Sequence, residues 1–320
     1  MHESSRKLVA PELLIGLDVM PDVDFGAGMA QFRQPFASRE MPPLPEKLAV
    51  VSRSEHRIPS GSDAPDVRVL RYDPPQTDKA LRPAMLHIHG GGYVLGDADM
   101  SDISNRSTAL ATGCVVVSVD YRLAPETVWP GALEDCYVAL RWLADNADEF
   151  GIDRDRIAVS GESAGGGHAA ALAIHARNEN GPAIRFLLLD APMLDDRTVA
   201  GNDLNPYCGE FVWTPQKNHF GWSAMLGREA GGDDVPEAAV PARTKDLTGL
   251  PSTFISVGAL DLFLEEDMEF ARRLMRVGTP VELHVIPGAY HGFGVAQNAP
   301  QVAELVRLRM AALGRAFAQG

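Results

Sequence analysis

Cysteine is scarce in this chain. The three residues, at positions 114, 136 and 208 of 320, are an odd number without metal-ligand spacing, which argues against both a disulfide framework and a zinc site. Positive charge is also in short supply. Acidic residues outnumber basic ones by 43 to 29, a formal charge of −14 spread along the chain without a charged tail. A field of that sign repels phosphate backbones, so a nucleic-acid partner is not expected. Long apolar runs are missing too. The longest strand-like stretch, residues 114–119, falls far short of the roughly 20 residues that cross a bilayer, so no membrane insertion is expected. Pro11, Glu12 and Asp18 break up the apolar residues near the N-terminus, which therefore does not read as a signal peptide. What remains, 45% hydrophobic and 22% charged residues, is the balance of a soluble globular protein, read here as cytoplasmic.

The segment before residue 48 stands apart. Leu13, Leu14, Leu17 and Met20 sit at helical spacing, and Pro35, Pro42, Pro43 and Pro45 then form a stiff connector. Leu13, Leu14 and Leu17 could serve a membrane surface, but only Arg6 and Lys7 would favour anionic lipid, and packing over a site explains the stripe better. From about residue 50, strand and helix patterns alternate. Residues 67–72 read as a strand that pairs with the segment around His56. Residues 84–88, 114–119, 157–160, 186–189, 253–257 and 281–286 are short apolar runs suited to strands buried on both faces of a parallel sheet. Helical patterns cover 131–146, 164–178, 265–277 and 301–318. One doubly wound α/β domain spanning 1–320 follows. Residues 193–240, rich in Gly, Pro, Asp and Trp, interrupt it and are expected to contact substrate.

Gly161-Glu162-Ser163-Ala164-Gly165 follows the 157–160 strand and opens the 164–178 helix. This is the setting of a G-x-S-x-G nucleophile elbow, in which the flanking glycines permit a tight turn and Ser163 stands exposed above the sheet. His89-Gly90-Gly91-Gly92 follows another strand. Its bare backbone N–H groups suit an oxyanion hole, with Gly91 and Gly92 as donors and Ala164 N–H as the third. His89 is assigned a structural role, its ring holding the loop by hydrogen bonds. Neither a P-loop nor G-x-G-x-x-G is formed, so no nucleotide site is expected. A serine nucleophile needs a base and an orienting acid. His87 and His284 lie inside strands as packed core residues, and His168 and His175 lie on the helix beyond the elbow. His2, His56 and His219 have no strand-end context. His291 follows the 281–286 strand at the sheet edge where catalytic residues gather, and it is the base. Asp261 follows the preceding strand and is preferred as the acid over Glu265, Glu266 and Asp267, whose clustering a helix dipole explains.

These residues resemble the hormone-sensitive-lipase-like branch of the α/β-hydrolases, the bacterial family IV esterases. The resemblance rests on His89 to Gly92, Asp120-Tyr-Arg-Leu-Ala-Pro-Glu126 with Pro130, Glu134 and Asp135, the 161–165 elbow, Asp261-Leu-Phe263 and His291-Gly-Phe293. Glu162 stands where many members carry Asp, and Gly258-Ala-Leu-Asp261 lacks the common Asp-Pro-Leu form. The resemblance implies an eight-stranded, mostly parallel sheet with a helical cap from about 1–48 and 193–240. It also implies hydrolysis of short-chain acyl or aryl esters through an acyl-enzyme, without cofactor or metal, and dimers formed through the last strand and helix. Phe25, Met29, Phe32, Phe36, Phe211, Trp213, Phe220 and Trp222 are the candidates to shape a cap pocket. The charges of 120–126 are read as structural ties between the elbow region and the loop below. An amidase or lactonase with the same triad, and a non-catalytic receptor on the same fold, are the alternative readings.

Overall fold

The computed structural model describes residues 4–20, 33, 41–61, 64–76, 80–200 and 204–318. Eight strands form one sheet: β1 (Ser52–Ile58), β2 (Val67–Asp73), β3 (Arg82–Ile88), β4 (Val115–Asp120), β5 (Ile152–Glu162), β6 (Phe186–Asp190), β7 (Ser252–Gly258) and β8 (Val281–Ile286). Their order is β1-β2-β4-β3-β5-β6-β7-β8. β2 runs antiparallel to both β1 and β4, and His56 pairs with Val69, as the sequence suggests. Every other pairing is parallel. The described helices are α1 (Leu14–Val19), α2 (Asp102–Thr112), α3 (Gly131–Asp145), α4 (Ala147–Phe150), α5 (Ala164–Asn178), α6 (Pro215–Leu226), α7 (Leu264–Arg276) and α8 (Pro300–Ala318).

The period-two alternation of strand side chains divides the core between the two faces. Val115, Val117 and Val119 of β4, Leu187 and Leu189 of β6 and Ile255 of β7 face one layer. There they meet Leu140 and Leu143 of α3, Leu172 of α5 and Phe270 of α7. Val116, Leu188 and Phe254 face the other, against Leu305, Leu313 and Phe317 of α8 and Leu13 of the N-terminal segment. Burial on both faces is why β4 to β7 read as unbroken apolar runs. β8 differs from expectation. As the last strand of the sheet it is mostly half-buried, and His284 is not a core residue: its side chain is 26% exposed and pairs with Glu282.

Three helices escape the hydrophobic pattern: α2, the single turn α4 and α6. α2 buries polar groups, and the Arg106 guanidinium donates to the Val51 carbonyl and to Asp102, so no apolar stripe marks it. α6, inside the 193–240 interruption, carries a legible start signal: Thr214 caps it and Pro215 occupies its first turn.

α5 crosses β3 and β5 at a distance only glycine allows. A Cβ on Gly165 would lie 2.0 Å from the Ile88 carbonyl oxygen, and one on Gly161 would lie 2.2 Å from that of Gly165. These are backbone atoms of a strand and of a helix packed on it, which cannot move aside. α5 also buries His168 between Tyr93 and Tyr121, with ring centroids at 4.7 and 5.0 Å, and burial lowers the imidazole pKa to about 3. An unfolded chain takes up that proton near 6.5 while the native one does not. His168 therefore costs stability as pH falls from about 6.5 towards 3.

Two outcomes are expected. Gly165→Ala should lower unfolding stability by about 3 kcal/mol or more, read from urea midpoints, since the clash is with backbone. His168→Phe should flatten the fall in urea midpoint between about pH 6.5 and 4.5 relative to the parent; an unchanged slope would remove His168 as its source.

Candidate functional site

Ser163 sits in the turn between β5 and α5 with φ 55° and ψ −123°, a region that non-glycine residues avoid. The surrounding backbone pins it there. Ser163 N–H donates to the Asp190 carbonyl at 2.9 Å, and the Ser163 carbonyl accepts from Gly167 and Met193. Strain of this kind costs about 1–3 kcal/mol and persists only where the scaffold imposes it.

The three residues singled out from sequence come together. Ser163 Oγ donates to His291 Nε2 at 3.0 Å, and His291 Nδ1 donates to Asp261 Oδ2 at 2.8 Å. Asp261 is 1% exposed and uses its second oxygen to accept from the Phe263 N–H at 3.0 Å. That bond holds the carboxylate in the turn after β7. His291 is 8% exposed and lies edge-on to the Phe263 ring, with centroids 5.1 Å apart. Its loop is anchored by the N-terminal segment: Ala10 N–H donates to the Gly288 carbonyl, and Tyr290 Oη donates to the Leu13 carbonyl at 2.9 Å.

Two of Asp261's rivals, Glu265 and Glu266, have other work, and the helix-dipole account of the clustering is incomplete. Glu266 and Asp267 are buried at 8% and 0% exposure, and burial pushes both carboxyl pKa values well up. Glu266 accepts from the Leu194 and Asp195 N–H groups and from the Thr198 hydroxyl, which fastens the 193–240 segment to α7. Glu265 accepts from Asn205 at 3.1 Å.

The glycine loop behaves as expected of a shaped backbone. His89 Nδ1 donates to the Gly90 carbonyl at 2.8 Å, and its ring stacks on Tyr121 at 4.2 Å, while Tyr121 Oη donates to the His89 carbonyl. Burial lowers the His89 pKa, so the ring serves as a neutral brace. Gly91 and Gly92 have φ values of 128° and 60°. A Cβ on Gly92 would lie 2.0 Å from the Trp213 ring. Their N–H groups meet no protein acceptor among the described residues. Ala164 is the first residue of α5, where a backbone N–H has no intrahelical acceptor.

Ser163, His291, Gly91 and Gly92 line one cavity of about 320 Å³. Met20, Leu95, Met100, Val212 and Trp213 supply its apolar wall, and Ser101, Glu162 and Lys217 are polar members of it. Of the aromatic cap candidates, Trp213 lines this cavity. Trp222 is fully buried, Phe211 packs on Tyr290, and Phe220 packs against the cluster containing Trp213 and Trp222. Phe25, Met29, Phe32 and Phe36 lie outside the described residues. Met20, Leu95, Met100 and Ser101 carry no motif, and only the folded loops bring them to the serine. The charges of 120–126 are structural ties. Asp120 accepts from Arg68 and the Ala98 N–H, Arg122 grips Asp135, and Glu126 pairs with Arg33. Among the described residues, no helix is long and apolar enough to cross a membrane.

Known proteins are similar to this chain in sequence and in structure. Esterase LipI of Mycobacterium tuberculosis is 32% identical over 96% of this chain and 95% of its own. Carboxylesterase NlhH of the same species is 36% identical over 98% of each. The solved structure described as a bacterial heroin esterase superposes with a TM-score of 0.89 at 34% identity, covering 98% of this chain and 99% of its own. Residues 85–295 match the family described as alpha/beta hydrolase fold. By that match and by these near full-length relatives, the chain belongs to the α/β-hydrolase family.

Proposed function

We propose that this protein is a serine carboxylesterase of the hormone-sensitive-lipase-like branch, acting on short-chain acyl or aryl esters through an acyl-enzyme. The observation that carries the reading is the hydrogen-bond chain from buried Asp261 through His291 to Ser163, ending at an open, largely apolar cavity. Relatives named as esterases and carboxylesterases support the ester hydrolase class.

In this mechanism Ser163 Oγ attacks the ester carbonyl as His291 Nε2 takes its proton. Asp261 keeps the Nδ1–H tautomer and stabilises the imidazolium that forms. The N–H groups of Gly91, Gly92 and Ala164 receive the oxyanion, each donor worth about 3 kcal/mol in the transition state. His291 then protonates the leaving alcohol, and water repeats the cycle on the acyl-enzyme. Trp213, standing against Gly92, and Met20, from the N-terminal segment, support the assignment of 193–240 and of the chain's beginning as a cap. A cavity of about 320 Å³ is at the small end for ligand pockets and favours short acyl groups.

The test is hydrolysis of p-nitrophenyl esters from four to sixteen acyl carbons. Turnover should fall with length, and Ser163→Ala should abolish both turnover and labelling by an organophosphate; labelling that persists in the variant would overturn the nucleophile assignment. Asp261→Asn should keep the fold, as read by circular dichroism, and lower kcat by roughly ten-thousandfold through the wrong imidazole tautomer. Near-parental kcat in that variant would move the acid to another residue.

A further inference from the structure

The cavity contains a charge that ester hydrolysis does not require. Glu162 precedes the serine and ends β5, and its side chain remains 36% exposed at the cavity although protein surrounds it. Its Oε2 accepts from His87 Nε2 at 3.0 Å, while Oε1 has, among the described residues, only a long contact, 3.4 Å, from Ser101 Oγ. His87 is held in turn at its other nitrogen, where Nδ1 and Ser118 Oγ share a hydrogen bond of 3.0 Å. This fixes the ring with its Nε2–H towards the carboxylate. Burial acts to raise the Glu162 pKa, but the His87 charge and hydrogen bond, with a contribution from Arg309, outweigh it and bring the carboxyl to about 2. Glu162 is thus ionised at any working pH, a carboxylate on the wall of the space the substrate enters, with one oxygen well bonded and the other in long contact only among the described residues.

Leu95 and Met100 give the same cavity an apolar wall, and a carboxylate on such a wall pairs best with a cation that arrives with a proton to donate. Lys217, also on the cavity wall, donates from Nζ to the Val212 carbonyl at 2.9 Å, so its ammonium is engaged at the Val212–Trp213 side. The protein's net charge of −14 further favours the approach of cationic over anionic esters. Resting on the assignment of Ser163 as nucleophile, we propose that Glu162 and Ser101 form a subsite for a protonated amine, making esters that carry a basic nitrogen close to the carbonyl the preferred substrate class.

The experiment compares isosteric esters that differ only in that charge. On the alcohol side the pair is 2-(dimethylamino)ethyl acetate and 3-methylbutyl acetate; on the acyl side it is ethyl N,N-dimethylglycinate and ethyl 3-methylbutanoate. For each pair the ratio of kcat/KM, charged over neutral, is measured near pH 6.5 in the parent, Glu162→Gln and Glu162→Asp. Intrinsic ester reactivity and general damage to the elbow cancel when ratios are compared. In at least one pair the ratio should fall about tenfold or more in Glu162→Gln and stay within about threefold in Glu162→Asp, the scale of one charge-assisted hydrogen bond. Ratios unchanged by Glu162→Gln in both pairs, or lost equally in both variants, would overturn the subsite. Should Glu162→Gln fail to fold, the parent alone decides. Protonated 3-methylbutylamine should inhibit p-nitrophenyl acetate hydrolysis competitively, at about a tenth of the concentration that 3-methylbutanol requires, and equal potency would overturn the proposal. Failure of the nucleophile assignment would appear separately, as neutral-ester turnover surviving in Ser163→Ala.

Discussion

A helix pressed against a sheet at bare-backbone distance is the constraint from which the site follows. Because Gly161 and Gly165 have no side chains, α5 can start directly above β3 and β5, and the chain between them must turn within a few residues. That turn leaves Ser163 at φ 55°, its N–H engaged by the end of β6 and its carbonyl by Gly167 of α5 and by Met193. The hydroxyl is then the one part of the residue left to act. The glycine loop after β3 depends on the same closeness, since Gly90 sits against Glu162 and the Ser163 side chain.

The sheet supplies the second half of the arrangement. β7 and β8 run parallel and adjacent, so the turns that follow them open on the same edge, one carrying Asp261 and the other His291. Almost everything in this part of the molecule was legible from sequence, because glycine-flanked serines, strand ends and apolar runs are local signals with direct physical causes. The residues that line the cavity were not. Met20, Leu95, Met100 and Ser101 belong to loops and helix starts whose positions depend on contacts far along the chain. α2 was illegible for a related reason: it buries Arg106 and Asn105 in hydrogen bonds and charge pairs, and a pattern of apolar residues cannot report a polar interface. β8 misled in the opposite direction, since an apolar run does not distinguish an edge strand from a central one.

Buried carboxylates hold the less regular half of the protein. Glu266 gathers the start of the 193–240 segment, and Asp196, fully enclosed, takes a bidentate grip from Arg243 and the Gly231 N–H. Groups of this kind add little net stability, because desolvation offsets most of the attraction, but removing one partner leaves the other stranded. They suit a segment that must keep one position without a strand ladder to hold it. Trp213, which forms the wall beside Gly92, inherits its placement from them.

The anchoring of the His291 loop by the chain's first residues has a consequence for how the enzyme comes into being. The Tyr290–Leu13 hydrogen bond joins positions 277 residues apart, and the Ala10–Gly288 bond closes a loop of similar length. Contacts of such separation form late, after the entropy of closing the chain has been met by the core. During synthesis on the ribosome, the first residues must wait for almost the whole chain to emerge before their partners exist. β1 to β6 and the elbow can assemble earlier, and the loop that carries His291 is anchored only when residues 10 and 13 meet residues 288 and 290.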